Sequence, residues 1–452
     1  MLLAVAACSG NDAGGPDGAA EDLGEQDLFR EDSAMGDAGE APPDVGVDGG
    51  RPLLRNVLLL IADDLGLDAS AQYDVSEDLP ETPTLDGLAR EGLVFDNAWA
   101  TPACTTTRGT LITGRHGIHS GVDRVPDTLD DAVPTLHRQL GATTDVRTAV
   151  IGKWHLTRDG SDLGAPLRAG ADHYAGTFEG VLDSYTDWTL TTEGRQERRT
   201  AYHTSAMTDL ALDWIAAQEQ PWFLWLAFVA PHSPFHLPPA ELHERGLSGT
   251  AADIADDPRP YYLAAIEAMD REIGRLLATL APEVRDETLI VFVGDNGSPA
   301  RAVSEFQRRR AKGSLYEGGV RVPLVVSGAG VTRRGEREAG LVHTVDVAPT
   351  LLEILGAPPM DGVDGESFAP ALTASGATPR ALNYTEFVSA EETGWAVRDA
   401  RYKLIVRDDG SEELFDVAAD LFERTDLAGE AELAARIDAL RLAGLTLRGE
   451  SE

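Results

Sequence analysis

The chain predicts an α/β fold, a doubly wound and largely parallel sheet followed by a smaller C-terminal antiparallel sheet plus helix. The apolar runs at 55–62, 222–229 and 288–293 are of strand length and lack polar alternation, which suits strands covered on both faces. Helical stretches at 202–218 and 262–280 fall between them, and strands that alternate with helices build parallel sheets. A helix from Pro349 ends at Gly356, and a loop-rich passage runs on to about Pro379. Beyond it the signal changes. Short strands are expected at 394–398, 402–406 and 412–416, with turns at Asp399-Ala400 and Asp408-Asp409-Gly410, then a helix over about 430–443.

With 452 residues the chain exceeds one ordinary domain and has the length for a large core. A content of 42% hydrophobic and 25% charged residues is globular, and no stretch after the extreme N-terminus approaches the roughly 18 apolar residues of a membrane span. The net charge is −38; residues 9–50 hold 12 Asp and Glu against the single Arg30, which accounts for −11 and leaves −27 for residues 51–452. This excludes nucleic acid as a partner. Any anionic substrate must be held by local cations against the overall field. The segment after Cys8 is rich in Gly, Ala and Pro and buries too little surface to offset its ordering entropy. The expected organisation is therefore a signal remnant over 1–8, an acidic disordered tether over 9–53, a main α/β domain over 54–378 and an antiparallel subdomain over 379–452. Met1 to Cys8 resembles the end of a bacterial lipoprotein signal, with Val5-Ala6-Ala7-Cys8 as lipobox and Cys8 as the lipidated residue; an ordinary apolar N-terminal segment is the alternative. The apolar core is short and lacks a positive n-region, so the precursor is expected to begin upstream. Membrane contact is expected only through this lipid anchor, on an exported protein at the periplasmic or outer face of a bacterial envelope.

In doubly wound sheets ligands gather at the carboxyl ends of strands. Two expected strands end in Asp63-Asp64-Leu65-Gly66 and Gly294-Asp295-Asn296-Gly297, bringing Asp63, Asp64, Asp295 and Asn296 to one rim. Four hard oxygen side chains suit Ca²⁺ or Mg²⁺, since packed carboxylates repel unless a cation neutralises them. Taken singly, each motif also reads as a turn or a helix cap. Cys104 is one of only two cysteines, so no disulfide framework explains it. Polar Thr105 to Thr107 followed by Gly109-Thr110-Leu111-Ile112 reads as a turn entering a short helix. That puts Cys104 at a helix N-terminus, where negative charge is favoured, with Arg108 one turn on and on the same face. A buried small hydrophobe is the other reading of Cys104. Lys153 and His155 in Val150-Ile151-Gly152-Lys153-Trp154-His155 share one side of an extended chain by the two-residue period, or belong to a solvated loop. His232 follows the strand at 222–229, as a rim residue or a cap. Arg308 to Arg310 read as a solvated basic face, and Trp188 as either a ring-stacking or an interior side chain.

Together these residues resemble the sulfatases of the alkaline phosphatase superfamily over roughly 54–445. The family carries C-x-P-x-R followed by a Leu-Thr-Gly-Arg-like segment, matched here by Cys104, Arg108 and Leu111-Ile112-Thr113-Gly114-Arg115, with Thr106 where the family has proline. The Gly152-Lys153-Trp154-His155 stretch and the segment from Lys312 to Pro323 extend the match. The resemblance implies an alkaline phosphatase-like fold and a Ca²⁺ or Mg²⁺ site made by Asp63, Asp64, Asp295, Asn296 and Cys104. It implies that a maturation enzyme converts Cys104 to formylglycine, whose hydrate attacks sulfur through one hydroxyl and expels sulfate with the help of the second. Lys153, Lys312 and Arg108 then stabilise charge, Asp295 accepts the attacking proton, His232 serves the departing alcohol oxygen and His155 assists release. The implied substrate is a sulfated small molecule or glycan, an aryl or carbohydrate sulfate. Two alternatives stand beside it: a phosphonate or phosphodiester hydrolase of the same superfamily, and, if Thr106 blocks maturation, a non-catalytic lipoprotein that binds sulfated glycans.

Overall fold

A computed structural model describes residues 54–450 except 159, 391 and 392, together with the backbone of two short strands, β1 (Val47–Asp48) and β2 (Arg51–Pro52), which pair antiparallel. The lipobox and the rest of the tether lie outside the described residues. The main body is built on β3 (Asn56–Asp63), β4 (Leu93–Trp99), β5 (Arg147–Lys153), β6 (His173–Thr177), β7 (Trp188–Thr192), β8 (Arg195–Arg199), β9 (Trp222–Pro231), β10 (Thr288–Gly294), β11 (Leu324–Gly328) and β12 (Glu336–His343). They form one ten-stranded sheet in the order β12-β4-β11-β10-β3-β9-β5-β6-β7-β8. Only β11 and β7 run against the others, each antiparallel to both neighbours. Fully parallel pairing of β10, β3, β9, β5 and β6 aligns their carboxyl ends.

Alternation within β3 shows how the sheet is covered. Val57, Leu59 and Ile61 pack on one side with Leu111, Ile112, Leu136, Leu140 and Leu351, from the helices Cys104–Thr113, Leu136–Thr143 and Val347–Ile354. Leu58, Leu60 and Ala62 pack on the other side with Leu85, Met207, Ile215, Ile266 and Ile273, from Pro83–Glu91, His203–Ala216 and Arg259–Thr279. Each fully buried Leu or Ile contributes about 1.5–3 kcal/mol, and this explains why the run has no polar alternation.

The second sheet joins β13 (Asn383–Val388), β14 (Thr393–Arg398), β15 (Tyr402–Arg407) and β16 (Glu412–Asp416) in sequence order, all antiparallel. One face holds Trp395 and Leu404 against Ile437 and Leu440 of the helix Ala434–Arg448. The other lays Phe387, Ile405 and Phe415 on Trp99, Leu315, Tyr316 and Val320. The final helix starts later than expected, after a 3₁₀ turn over Ala431–Leu433, and runs to Arg448. Sequence reasoning did not find β4, β6 to β8 or β11 to β13. They are short or carry polar residues at sheet margins, as β8 does with all five residues exposed and charged or amide-bearing, a composition that protects an edge from further pairing.

Candidate active site

The site grows from the aligned strand ends. Successive residues in a strand face opposite ways, but Asp64, just beyond β3, adopts a left-handed backbone with φ 70°. That turn lets both Asp63 and Asp64 aim at one point. Ligand atoms of Asp63, Asp64, Cys104 and His232 lie within 4.8 Å of one another. From β10, Asp295 accepts the Asp64 N–H at 3.0 Å, and Asn296 Nδ2 donates to Asp64 Oδ1 at 2.8 Å. Cys104 opens its helix and brings Sγ to 3.8 Å from Asp64 Oδ1.

Three cations face the three carboxylates. Arg108 is wholly buried, donating to Asp295 Oδ2 at 2.9 Å and to the Lys153 carbonyl at 2.8 Å. Lys153, the last residue of β5, pairs with Asp63. Gly152 before it has φ 103°, and a Cβ there would stand 1.9 Å from the Ala227 carbonyl oxygen, so only glycine lets β5 close on β9 at this point. Lys312 Nζ reaches Asp64 Oδ1 at 2.5 Å from a loop whose backbone is tied to Ser298 and Pro102. His232 follows β9 with Nε2 3.6 Å from Asp64 Oδ2, while its Nδ1 donates to the Ser233 carbonyl at 2.7 Å. His155 Nε2 lies 3.2 Å from Thr105 Oγ1 and packs against Gly180, where a Cβ would come within 2.3 Å of the ring.

Burial opposes charge throughout, and the partners decide the outcome. Despite burial, Lys153, helped by His232, Arg108 and Lys312, holds the Asp63 carboxyl well below the usual range. Asp295 is pushed up to about 7 by burial and by Asp63, against Arg108 and Lys153. Lys312 is held above its ordinary value by Asp64 in spite of burial. Burial drives both His155 and His232 down. Burial and then Asp63 push the Cys104 thiol up. Burial and Asp63 thus act against the charge that the helix N-terminus favours at Cys104.

The donor set fits a hard divalent cation. Asp63 Oδ1 and Asn296 Oδ1 are buried and accept no hydrogen bond, and such oxygens are costly unless something positive faces them. Every expected site residue lies in this one cluster, with Asp295 held on its Arg108 side. Lys153 and His155 do not arrive there by strand alternation. His155 lies past the strand with φ 54°, and the left-handed step turns its ring toward Thr105. Arg308 and Arg309 are exposed as expected, but Arg310 is buried, its guanidinium 4.3 Å from the Tyr316 ring and bonded to the Glu423 carbonyl. Trp188 is interior, donating to the Ala201 carbonyl at 2.9 Å. Residues that sequence reasoning missed include Thr105, Tyr185, whose hydroxyl donates to the His232 carbonyl, and Tyr262, whose hydroxyl donates to that of Asp64, both at 2.7 Å. No motif marks these tyrosines, because they come from a loop and a helix distant in sequence.

The doubly wound sheet that carries this buried charge cluster at its carboxyl rim has an alkaline phosphatase-like fold. The sulfatase family model matches residues 55–357, and the model for the C-terminal part of N-sulphoglucosamine sulphohydrolase matches 307–446. The chain belongs to the sulfatase family. It is 29% identical over 353 residues to arylsulfatase J of Mus musculus, covering 73% of this chain and 56% of that protein. To N-acetylgalactosamine-6-sulfatase of Canis lupus familiaris it is 28% identical over 381 residues, covering 74% and 69%. Its fold matches the crystal structure of Ps i-CgsB in complex with k-i-k-neocarrahexaose with a TM-score of 0.73 at 24% identity, over 87% of this chain and 93% of that one.

Proposed function

We propose that the protein hydrolyses a sulfate ester to an alcohol and inorganic sulfate, using a formylglycine made from Cys104. The observation that carries this reading is the convergence of Cys104, within 3.8 Å of Asp64, with Lys312, Lys153 and Arg108 on one carboxylate rim. A Ca²⁺ or Mg²⁺ ion held by Asp63, Asp64, Asp295 and Asn296 would supply Lewis-acid polarisation of the sulfuryl oxygens. Lys312 and Lys153 hold the sulfuryl oxygens and spread the charge that grows on them, and Arg108 keeps Asp295 in place beside the nucleophile. With formylglycine in place of Cys104, Asp295 would accept the proton of the attacking hydroxyl, and the new bond to sulfur would form as the S–O bond to the alcohol breaks. His232 would need to take up a proton from solvent to act as the acid: as imidazolium it donates from Nδ1 to the Ser233 carbonyl and would give the Nε2 proton, which faces the rim, to the departing oxygen. His155 would accept the proton of the second hydroxyl, the base needed for release of sulfate by C–O cleavage.

The same reading makes residues 54–378 the catalytic domain and 379–452 its antiparallel subdomain, with Cys8 as a lipid anchor on an exported protein and a maturation enzyme acting on Cys104. No helix among the described residues is long and apolar enough to cross a membrane. The test is turnover of 4-nitrophenyl sulfate by protein made with the maturation enzyme, paired with mass analysis of the Cys104 peptide. An aldehyde on that peptide and loss of multiple turnover in Cys104→Ala, with an unchanged circular dichroism spectrum, are expected. Sustained turnover by Cys104→Ala would overturn the nucleophile.

A further inference from the structure

The turns that carry Asp64 and Asn296 leave the main sheet side by side. β3 and β10 pair in parallel up to Ala62 and Gly294, and the Asp295 N–H still reaches the Ala62 carbonyl at 3.0 Å. Beyond that point the ladder ends, and the buried backbone of residues 64–66 needs other partners. It has them. The Tyr262 hydroxyl donates to the Asp64 carbonyl at 2.7 Å, and Ser298 Oγ accepts the Gly66 N–H at 3.3 Å. Ser298 has one hydroxyl hydrogen to give, and it goes to Asp68 Oδ1 at 2.6 Å; the Tyr262 and Ser298 hydroxyl oxygens stand 3.0 Å apart.

The far end of this chain of bonds is fixed. Asp68 is buried and also accepts the Ser304 N–H at 2.8 Å, the Ser304 hydroxyl at 3.2 Å and a hydrogen of Arg259 Nη1 at 3.5 Å. Arg259 and Tyr262 lie in the first turn of the helix Arg259–Thr279, so the start of that helix, the turn after β3 and the turn after β10 meet at one knot. The knot has no slack. A Cβ on Gly66 would stand 2.6 Å from the Ser298 nitrogen, and one on Gly294 would stand 2.4 Å from the Leu65 carbonyl oxygen. Ser298 also accepts the Lys312 N–H at 3.1 Å through its carbonyl. Each bond from Tyr262 or Ser298 to the rim segments ends on backbone. The network therefore sets the course of the chain through Asp64 and Lys312 without using a carboxylate or an amine of the site.

We infer that Tyr262, Ser298 and Asp68 are positioning residues for the divalent cation: they hold the left-handed step at Asp64 in register with Asn296 and so preset the spacing of the oxygens that receive the ion. The inference rests on the metal and sulfate-ester reading. Its test is calorimetric titration of chelator-treated full-length protein with Ca²⁺ and, separately, with Mg²⁺. For the ion that binds more tightly, Tyr262→Phe and Ser298→Ala should each weaken binding about tenfold, as happens when a group that orients a metal ligand is lost. Tyr73→Phe is the control. The Tyr73 hydroxyl donates to the Phe95 carbonyl of β4 and accepts the Leu324 N–H of β11, both at 2.9 Å, and its ring packs in the same core as Tyr262. That variant should lower the melting temperature of the metal-free protein and leave ion affinity at the wild-type value. Wild-type affinity in Tyr262→Phe, or an equal loss in Tyr73→Phe, overturns the positioning role. If the wild type binds neither ion, the metal reading and this inference fall together. If Tyr262→Phe weakens an ion that the wild type binds, while the wild type turns over no sulfate ester, the positioning role stands and the hydrolase reading falls.

Discussion

Asp64 is tied into the site through its backbone and both of its carboxylate oxygens. Its N–H is held by Asp295, its carbonyl by the Tyr262 hydroxyl, one carboxylate oxygen by Lys312 and Asn296, and the other lies toward His232. A left-handed non-glycine residue is tolerated because those partners over-determine it. The neighbouring orphaned oxygens of Asp63 and Asn296 lead to a direct expectation. Added Ca²⁺ should raise the melting temperature, since an ion at 100 times its Kd contributes about 2.7 kcal/mol to the folded state. Asp63→Asn should lose most of that shift. Scanning calorimetry with Ca²⁺, Mg²⁺ or chelator decides it, and a wild type indifferent to both ions contradicts the metal site.

At the scale of elements, the loop that carries Lys312 is held from beneath by the second sheet. Lys403 of β15 is fully buried and pairs with Glu317 at 3.2 Å and Glu423 at 2.9 Å, while Glu423 accepts the Glu317 N–H at 2.6 Å and Trp99 Nε1 donates to Glu317 at 3.1 Å. Burial and the adjacent Glu317 push Glu423 up to about 7, with Lys403 acting against both. Removing the lysine would strand one buried carboxylate or two. Lys403→Met should therefore cost about 3–5 kcal/mol, the usual result of breaking a buried pair from one side. Glu317 lies in the same segment as Lys312, so loosening it should let kcat/KM fall with stability. A urea denaturation midpoint equal to that of wild type would show that the cluster does not brace the loop.

Across the whole molecule, buried histidines add to the pH dependence of stability, His137 and His203 among them. His137 is fully buried, without a hydrogen-bond partner, its ring 5.1 Å from Phe223 and 6.0 Å from Trp225; His203 is buried beside Trp188. Burial lowers each to about 3. Below the unfolded value near 6.5 the unfolded chain binds a proton that the native state refuses, so this stability is present above about pH 6.5 and drains away toward pH 3. The loss approaches roughly 1.4 kcal/mol per pH unit for each histidine. His137→Phe should narrow the difference in unfolding free energy between pH 7 and pH 5 by about that order. Equal pH dependence of variant and wild type would mean that His137 is protonated in the folded protein.

The three apolar runs became β3, β9 and β10 because full burial on two faces demands uninterrupted hydrocarbon, a local property that sequence records directly. The same runs located Asp63, Asp64, His232, Asp295 and Asn296, since residues at the carboxyl end of a central parallel strand lie on the rim. The order of strands, the left-handed steps at Asp64 and His155, the burial of Cys104 and the brace under Lys312 were decided only by tertiary structure. Those features depend on which distant residues share a dielectric and a volume, and no spacing along the chain encodes that.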